Sequence, residues 1–325
     1  MQTLLPGTLK NLFFPPEKTE FAYFAAAKAH PFAVGDHLVK AAWAADAAML
    51  AYARYGPKPM QLQDLEDNLG HGGLRLVKQI GDWSNHGPQA FLASNDQFAI
   101  LSFRGTEADD PVDVFDDCDA ITFREPDHRP DGIPPRFSLE LLTQVHQGFQ
   151  RSLNRLWDDV RNCVVDYRRN HPQAEICFTG HSLGAALAVL ASSRFSDPNI
   201  SLYTFGCPRV GNQAFVDRVL DKPSKQIFRF VNVNDSVAHV PPESIFYRHV
   251  PETCLRFDDK GQLAEDNGSF LGDVEALATV VSRFSVDLTL DLSKIDARPG
   301  LVDHSAARYC MRLSNLLLPA PPTKA

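Results

Sequence analysis

A five-residue motif at positions 180–184, GHSLG, places Ser182 between two glycines. Residues 174–180 form a short apolar run with β-favouring Ile, Phe and Thr, and residues 183–195 are rich in Leu, Ala and Val. The motif is therefore predicted at a strand-to-helix turn, which holds a serine hydroxyl exposed above a sheet. We interpret Ser182 as a nucleophile, and the alternative is an ordinary serine in a tight turn.

The neighbours of this serine are predicted to form a nucleophile elbow made of Gly180, His181 and Gly184. Side chains at the two glycine positions would clash where the strand and the helix approach each other. His181 is expected to point elsewhere on the turn.

A neutral serine needs a base that takes its proton and an acid that orients the base. On a sheet of this kind the acid and then the base follow the serine along the chain. Asp235 comes directly after the apolar run at 226–234, so it is predicted to be the acid at the carboxyl end of a strand. Asp296 and Asp303 are the competing candidates.

Four histidines from this turn onward are candidates for the base. His304 stands last in the chain order, beside a predicted helix that begins near residue 303, and we favour it. His239 is the second choice, His249 lies in a predicted strand, and His181 adjoins the serine. A hydrogen-bonded structural histidine is the alternative for each of them.

Two N–H donors are expected to hold the oxyanion of an acyl-transfer reaction. The backbone N–H of Leu183, at the start of the predicted helix, is one candidate, because the helix dipole also favours negative charge there. The backbone N–H of Thr106, which follows an early strand, is the other. The alternative for Thr106 is a simple Gly-Thr turn.

The remaining elements must position these residues. A long helix is predicted over residues 35–57, with Asp36 as its cap, followed by strands at 74–80, 88–94 and 97–103. The turn signal at 94–96 predicts that the last two strands form an antiparallel hairpin.

From residue 145 onward, helices and strands alternate. One amphipathic helix is predicted over 149–171, and further strands are predicted at 200–206 and 226–232 with a short helix after Asn212 between them. This alternation predicts an α/β fold with a mostly parallel central sheet and right-handed crossovers.

Six segments together resemble the class 3 lipase family of the filamentous-fungal type. They are ILSFRGTE, VHQGF, ICFTGHSLGAALAVLAS, YTFGCPRVGN, NDSVAHVPP and DHSAARY, and they occur in the family's order between residues 100 and 309. The resemblance implies an α/β-hydrolase fold with helices on both faces of the sheet and a loop or helix lid. It implies Ser182, Asp235 and His304 as the catalytic triad, Thr106 and Leu183 as the oxyanion hole, and structural roles for His146, Arg209 and Asn212.

The chain departs from the family's pattern in two stretches. Residues 107–139, the predicted lid, lack the family's frequent tryptophan and hold seven acidic residues between Glu107 and Asp119. A solvated acidic loop is favoured there over a calcium site, because EF-hand-like ligand spacing is missing and Pro111 interrupts the run. The insert at 255–301 is long for the family. We expect one domain over residues 1–325.

Composition limits the partners and the compartment. The 325 residues carry a formal net charge of −8 and no extended Lys/Arg cluster, so no nucleic-acid partner is expected. No apolar run reaches membrane-span length, which predicts no transmembrane segment. The scattered cysteines and the lack of a Sec-type leader pattern predict mainly free thiols and a cytoplasmic protein, or one exported without such a signal.

The predicted activity is that of a serine carboxylic-ester hydrolase, a lipase that needs no cofactor and no metal. The resemblance implies acyl glycerols or similar lipid esters as substrates, with transient contact at a lipid interface. A phospholipase and a short-chain esterase are the alternatives within hydrolases. An acyltransferase with the same triad, or a non-catalytic lipid-binding protein on the same scaffold, would belong to other classes.

Overall fold

A computed structural model describes 12 segments of the chain, which are 21–24, 30–32, 36–52, 62–83, 87–105, 122–124, 143–222, 226–241, 243, 246–251, 253–266 and 302–318. The acidic run at 107–119 and almost all of the predicted lid lie outside these residues, and so does the insert beyond residue 266.

An eight-stranded sheet forms the centre of the described part of the chain, with the strand order β1-β2-β3-β6-β7-β8-β9-β10. Two further short strands, β4 and β5, pair separately. The strands are β1 Arg75–Ile80, β2 Ala90–Ser94, β3 Phe98–Phe103, β4 Thr122–Arg124, β5 Gln144–His146, β6 Glu175–His181, β7 Ile200–Phe205, β8 Gln226–Asn232, β9 Cys254–Phe257 and β10 Leu263–Asp266.

The predicted hairpin is confirmed. β2 and β3 pair antiparallel, and the Asn95 side chain accepts hydrogen bonds from the N–H groups of Gln97 and Phe98 in the turn between them. β1 extends the hairpin in antiparallel register. This side-chain bond to the backbone two and three residues on is how Asn favours turns.

The mostly parallel centre is also confirmed. β3, β6, β7, β8 and β9 pair in parallel, so the carboxyl ends of these strands meet at one edge of the sheet. Ligands and reacting groups gather at this edge in open α/β sheets.

Helices cover both faces of the sheet, as the fold class predicts. They are α1 His37–Leu50, α2 Leu62–His71, α3 Gln147–Asn154, α4 Trp157–Asn170, α5 Leu183–Ser193, α6 Gln213–Leu220 and α7 Ala306–Leu317. Along β6 the side chain of Cys177 packs into the cluster that contains α1 and α7, whereas Ile176 and Phe178 pack into the cluster that contains α3 to α6. This alternation follows from the two-residue period of a strand. None of the helices in the described segments combines the length and apolarity needed to cross a bilayer.

Two local predictions need correction. The single amphipathic helix at 149–171 is two helices, α3 and α4, which break at Arg155 and Leu156, where the Leu156 N–H bonds back three residues to Leu153. This tighter turn lets both leucines stay buried. His249 lies in a loop beside a single bridge between Gly211 and Arg248 rather than in a strand. The start of the insert forms β9 and β10, so it extends the sheet.

Helix α1 begins as predicted and carries a buried acid. Asp36 caps it by accepting from the N–H groups of Leu38 and Val39. Asp46 lies in the second half of this helix. Its side chain is 3% exposed and accepts a hydrogen bond from the N–H of Phe24 at 2.6 Å. Burial raises the pKa of Asp46 to about 8 despite this hydrogen bond.

We predict that Asp46→Asn removes a pH dependence of stability. The folded-state pKa of Asp46 lies above its unfolded value. The contribution of this residue to stability is therefore fully present below about pH 4, and it is lost as the pH rises towards 8. Urea unfolding between pH 5 and 9 should show the variant gaining a few kcal/mol relative to wild type as the pH rises. Asp96→Asn, at an exposed ion pair with Arg75, is the control and should show no such gain. Equal pH dependence in wild type and Asp46→Asn would contradict the buried neutral acid.

Candidate active site

Ser182 lies at the turn between β6 and α5, as the motif predicts. Its backbone adopts φ 58° and ψ −130°, a left-handed region that non-glycine residues rarely enter. The Ser182 N–H donates to the carbonyl of Phe205 at the end of β7, and its own carbonyl accepts from Ala185 and Ala186 in the first turn of α5. The strained backbone is thus held by hydrogen bonds from two sides.

The two glycines of the elbow leave room for different neighbours. A Cβ at Gly180 would lie 2.3 Å from the carbonyl carbon of Gly184, which is the expected clash between strand and helix. A Cβ at Gly184 would lie 2.2 Å from the carbonyl oxygen of Phe103, at the end of the neighbouring strand β3. Gly184 therefore gives clearance to β3 rather than to its own strand.

Asp235 is fully buried just beyond the carboxyl end of β8. Its Oδ1 accepts from the N–H groups of Val237 and Ala238, and its Oδ2 accepts from the Tyr309 hydroxyl at 2.6 Å. Burial alone would raise the pKa of Asp235, but the positive charge available at His304 and these hydrogen bonds outweigh it and lower the pKa below the ordinary value. The carboxylate is therefore ionised at neutral pH.

The His304 imidazole contacts this carboxylate. Its Nδ1 lies 3.0 Å from both Oδ1 and Oδ2 of Asp235. Because an ionised carboxylate can only accept, Nδ1 carries the proton and Nε2 has a free lone pair. The imidazole is oriented to take a proton at Nε2.

The backbone around His304 is tied to the end of β8. Asn232 donates its side-chain amide to the carbonyl of Asp303 at 2.7 Å, and the Asn234 amide donates to the Asp303 carboxylate at 3.0 Å. Arg308, in the first turn of α7, donates to the same carboxylate at 2.9 Å. These bonds fix the loop before α7 next to Asp235.

Gly206 lies beneath this pair and carries φ +56°. A Cβ there would lie 2.6 Å from Oδ2 of Asp235 and 2.9 Å from Nδ1 of His304. Its N–H donates to the carbonyl of Phe230 in β8. Glycine at this position therefore lets the Asp235 carboxylate and the His304 imidazole lie close to the turn after β7. This turn directly follows Phe205, whose carbonyl accepts from the Ser182 N–H.

The oxyanion prediction is only partly covered by the described residues. Leu183 is the first residue of α5, so its N–H has no partner within the helix. Thr106 lies outside the described residues, which end here at Gly105. A Cβ on Gly105 would lie 2.8 Å from the His181 carbonyl, so the chain leading to Thr106 passes directly beside the elbow.

The competing acids and bases have other contacts. Asp303 bonds to Asn234 and Arg308, and Asp296 lies outside the described residues. The imidazole of His249 donates to the carbonyl of Ala238 at 2.8 Å. At His239 the backbone carbonyl accepts a hydrogen bond from Arg209. Of the candidate histidines, His304 is the one whose ring hydrogen-bonds Asp235.

Sequence reasoning missed three residues that hold the site together. Tyr309 donates to Asp235 and accepts from the N–H of Asn232 at 2.9 Å. His181, which was expected to point elsewhere on the turn, donates from Nε2 to the carbonyl oxygen of His304. The hydroxyl of Tyr52 contacts Nδ1 of His181 at 2.8 Å. Of these three roles, only that of Tyr309 had a possible signal in the sequence, namely its position five residues after His304.

The three residues expected to be structural have structural contacts. His146 is buried and stacks on Phe149 with ring centroids 4.2 Å apart. Arg209 donates to the carbonyl of Pro241 at 3.0 Å and so braces the segment after Asp235. Asn212 caps α6 by accepting from the N–H of Phe215.

Comparison with known families agrees with this geometry. Residues 100–245 match the family model described as Lipase (class 3). The matched residues contain the elbow and Asp235, whereas His304 follows the match. The predicted resemblance to this family is confirmed.

Individual relatives are lipases by name. The chain is 37% identical over 124 residues to the secreted mono- and diacylglycerol lipase MDL2 of Malassezia globosa, which covers 37% of this chain and 40% of the relative. It is 35% identical over 129 residues to a lipase of Rhizomucor miehei, covering 37% of this chain and 35% of the relative. The chain thus matches less than half the length of these relatives.

A solved structure supports the fold over a larger part of the chain. The lipase from Rhizopus microsporus var. chinensis superposes with a TM-score of 0.54 at 23% identity, covering 77% of this chain and 88% of that one. At this identity the likeness confirms the α/β-hydrolase fold.

The predicted compartment is wrong. Three of the relatives, from Malassezia globosa and Malassezia restricta, are named secreted lipases, which points to export rather than to a cytoplasmic location. Free cysteines did not justify the inference of a reducing compartment. Cys163, Cys177, Cys207, Cys254 and Cys310 are free and buried, while Cys118 lies outside the described residues. Burial itself protects a thiol from oxidation in any compartment.

We predict that Gly206→Ala destabilises the protein more than backbone strain alone explains. Gly73 has a similar φ of +71° but nothing within 4 Å of an added Cβ, so Gly73→Ala measures the strain, about 1–2 kcal/mol. Gly206→Ala adds the clash with Asp235 and His304 and should lose at least about 1 kcal/mol more in urea unfolding. Equal losses in the two variants would contradict the close approach described here.

Proposed function

Since residues 100–245 belong to the class 3 lipase family, we propose that the protein is a serine carboxylic-ester hydrolase of the lipase type. Acyl glycerols or similar lipid esters are its proposed substrates. The names of its relatives, mono- and diacylglycerol lipase and lipase, support this substrate class. The relatives that are named secreted lipases support action outside the cell.

One observation carries the proposal. A buried carboxylate, Asp235, orients the imidazole of His304, and both lie against the turn whose backbone also holds the strained elbow of Ser182. A serine on such an elbow, an imidazole with a free Nε2 and a buried acid form the set that activates a hydroxyl.

The proposed reaction begins when the hydroxyl oxygen of Ser182 attacks the ester carbonyl carbon. His304 takes the hydroxyl proton at Nε2 and then gives it to the leaving alcohol oxygen, which leaves an acyl group on Ser182. Water then attacks the acyl-enzyme while His304 takes and returns a proton again. No cofactor or metal enters any of these steps.

Asp235 and the oxyanion donors stabilise the charges that develop. The carboxylate, kept ionised by its hydrogen bonds, stabilises the imidazolium formed on His304. The N–H of Leu183, at the start of α5, is proposed to bind the oxyanion together with Thr106. The passage of Gly105 beside the His181 carbonyl supports the position of Thr106 in this role.

The first test is hydrolysis of a p-nitrophenyl ester series from acetate to palmitate by wild type and Ser182→Ala. Wild type should release p-nitrophenol, and the variant should be slower by about 10³-fold or more, because the nucleophile is removed. The chain length that gives the highest kcat/KM separates a lipase from a short-chain esterase. Emulsified diacylglycerol and phosphatidylcholine, compared at equal acyl chains, separate a lipase from a phospholipase.

Fluorophosphonate labelling provides the control for this test. Wild type should be labelled at Ser182 and Ser182→Ala should not. If folded wild type neither hydrolyses an ester, including emulsified substrates, nor reacts with the fluorophosphonate, the hydrolase proposal fails. The lipid-binding alternative would then be preferred.

We predict that Asp235→Asn lowers kcat by about 10³–10⁴-fold. The side-chain amide of Asn can donate to Nδ1 of His304, which moves the imidazole proton to Nε2 and removes the base. Asp303→Asn is the matched control, because Asp303 precedes His304 in the chain but its carboxylate bonds to Asn234 and Arg308 instead. It should lose less than about tenfold, and similar losses in the two variants would argue against Asp235 as the orienting acid.

We predict that kcat/KM falls with a single ionisation on the acid side, with unit slope. His304 must be neutral to accept the proton, so protonation of its imidazole removes the base and the activity with it. Burial and the neighbouring His304 lower the pKa of His181 to about 3, and Asp235 stays ionised, so neither adds a second step above about pH 5. A slope of two in the initial-rate profile would contradict this assignment.

A further inference from the structure

We propose that His181 and Tyr52 form a positioning pair that sets the place of His304 relative to Ser182 and links it to the chain before the oxyanion loop. The inference rests on the proposed function and assigns neither residue a contact with substrate. His181 adjoins the nucleophile in sequence, and its ring holds the base.

The contact between the two histidines is directional. Nε2 of His181 bonds to the backbone carbonyl of His304, and a carbonyl can only accept, so Nε2 must carry a proton. The two rings also pack with their centroids 4.4 Å apart and at 36° to each other. His181 therefore contacts both the backbone and the side chain of His304.

Tyr52 contacts the other ring nitrogen of His181. Its hydroxyl lies 2.8 Å from Nδ1, and Nδ1 of a neutral ring protonated at Nε2 can only accept, so the hydroxyl donates. Gly105, the last described residue before Thr106, lies close to the same hydroxyl oxygen. A Cβ on Gly105 would lie 1.9 Å from that oxygen, so glycine is required for this approach.

His181 stays uncharged, which suits a residue that lies beside the base His304. Both side chains are buried, and burial together with the nearby His304 lowers the pKa of His181 to about 3, against the opposing effect of Asp235. The ring therefore stays neutral when His304 becomes an imidazolium. A second positive charge beside His304 would oppose its protonation.

The geometry explains why Asp235 alone does not determine the position of the base. The carboxylate orients Nδ1, and the contacts of Asp303 tie the loop before α7 to β8. The bond from His181 ties the same loop to the turn carrying Ser182. The distance between nucleophile and base thus depends on this bond, and a displacement of about 1 Å can cost about 10²-fold in rate.

The test compares His181→Phe, His181→Gln and Tyr52→Phe with wild type in ester hydrolysis. Phe keeps an aromatic ring but has no donor, so kcat should fall by about 10²-fold with little change in KM. Gln restores a donor of similar reach and should recover at least about tenfold of that loss. Tyr52→Phe removes the hydroxyl that donates to Nδ1 of His181 and should lower kcat by about tenfold.

His30→Phe is the matched control. His30 also uses Nε2 to bond a distant backbone carbonyl, that of Leu317, but it lies outside the proposed site. Its kcat should stay within about twofold of wild type. Rates are expressed per fluorophosphonate-reactive Ser182, so misfolded protein does not enter the comparison.

The pH profile separates positioning from a purely structural role. A base held less firmly against Asp235 is a weaker base, so the acid limb of kcat/KM in His181→Phe should move to lower pH. Wild-type kcat and an unmoved acid limb in His181→Phe, or in Tyr52→Phe if His181→Phe does not fold, would overturn the inference. The hydrolase proposal would survive that result, whereas inactivity of wild type would overturn the proposed function itself.

Discussion

The close approach of helix α5 to strands β6 and β3 is the constraint on which the rest of the site depends. Without side chains at Gly180 and Gly184, the helix begins immediately after the strand, and Ser182 is forced into a left-handed backbone conformation. That conformation costs about 1–2 kcal/mol. It is maintained because the Ser182 N–H and carbonyl are hydrogen-bonded to β7 and to the first turn of α5.

The parallel register then brings the other groups to the same edge. β6, β7 and β8 end side by side, so Ser182, Gly206 and Asp235 follow three adjacent strands although more than 50 residues separate the first from the last. His304 reaches this edge differently, through a loop before α7 that is hydrogen-bonded to Asn232 at the end of β8. A rigid sheet thus supplies two of the proposed catalytic groups, and side-chain hydrogen bonds position the third.

Burial perturbs the pKa values of the carboxyl groups, and their charged and hydrogen-bonding neighbours decide whether each pKa is raised or lowered. Asp235 and Asp46 are both buried carboxyl groups, yet the pKa of the first is lowered and that of the second is raised to about 8. Asp235 has a histidine, a hydroxyl and two backbone N–H groups around it, whereas a hydrogen bond from Phe24 is too little to offset the burial of Asp46.

The sequence by itself determined six strands of the central sheet, β1 to β3 and β6 to β8, together with the nucleophile elbow and the order of serine, acid and histidine. These features depend on local patterns, such as glycine spacing, apolar periodicity and turn residues, that are contained in short windows of chain. It also predicted Asp235 and His304 as partners before their hydrogen bond was seen. The break between α3 and α4 was missed, because the same apolar positions suit one helix or two.

Only the tertiary structure decided which histidine contacts the acid, what Gly206 is for and where His181 points. These are contacts between residues far apart in the chain: Asp235 and His304 are 69 residues apart, and Tyr52 and His181 are 129 apart. A local pattern cannot encode them, because the side-chain direction depends on how separate strands and helices pack against each other.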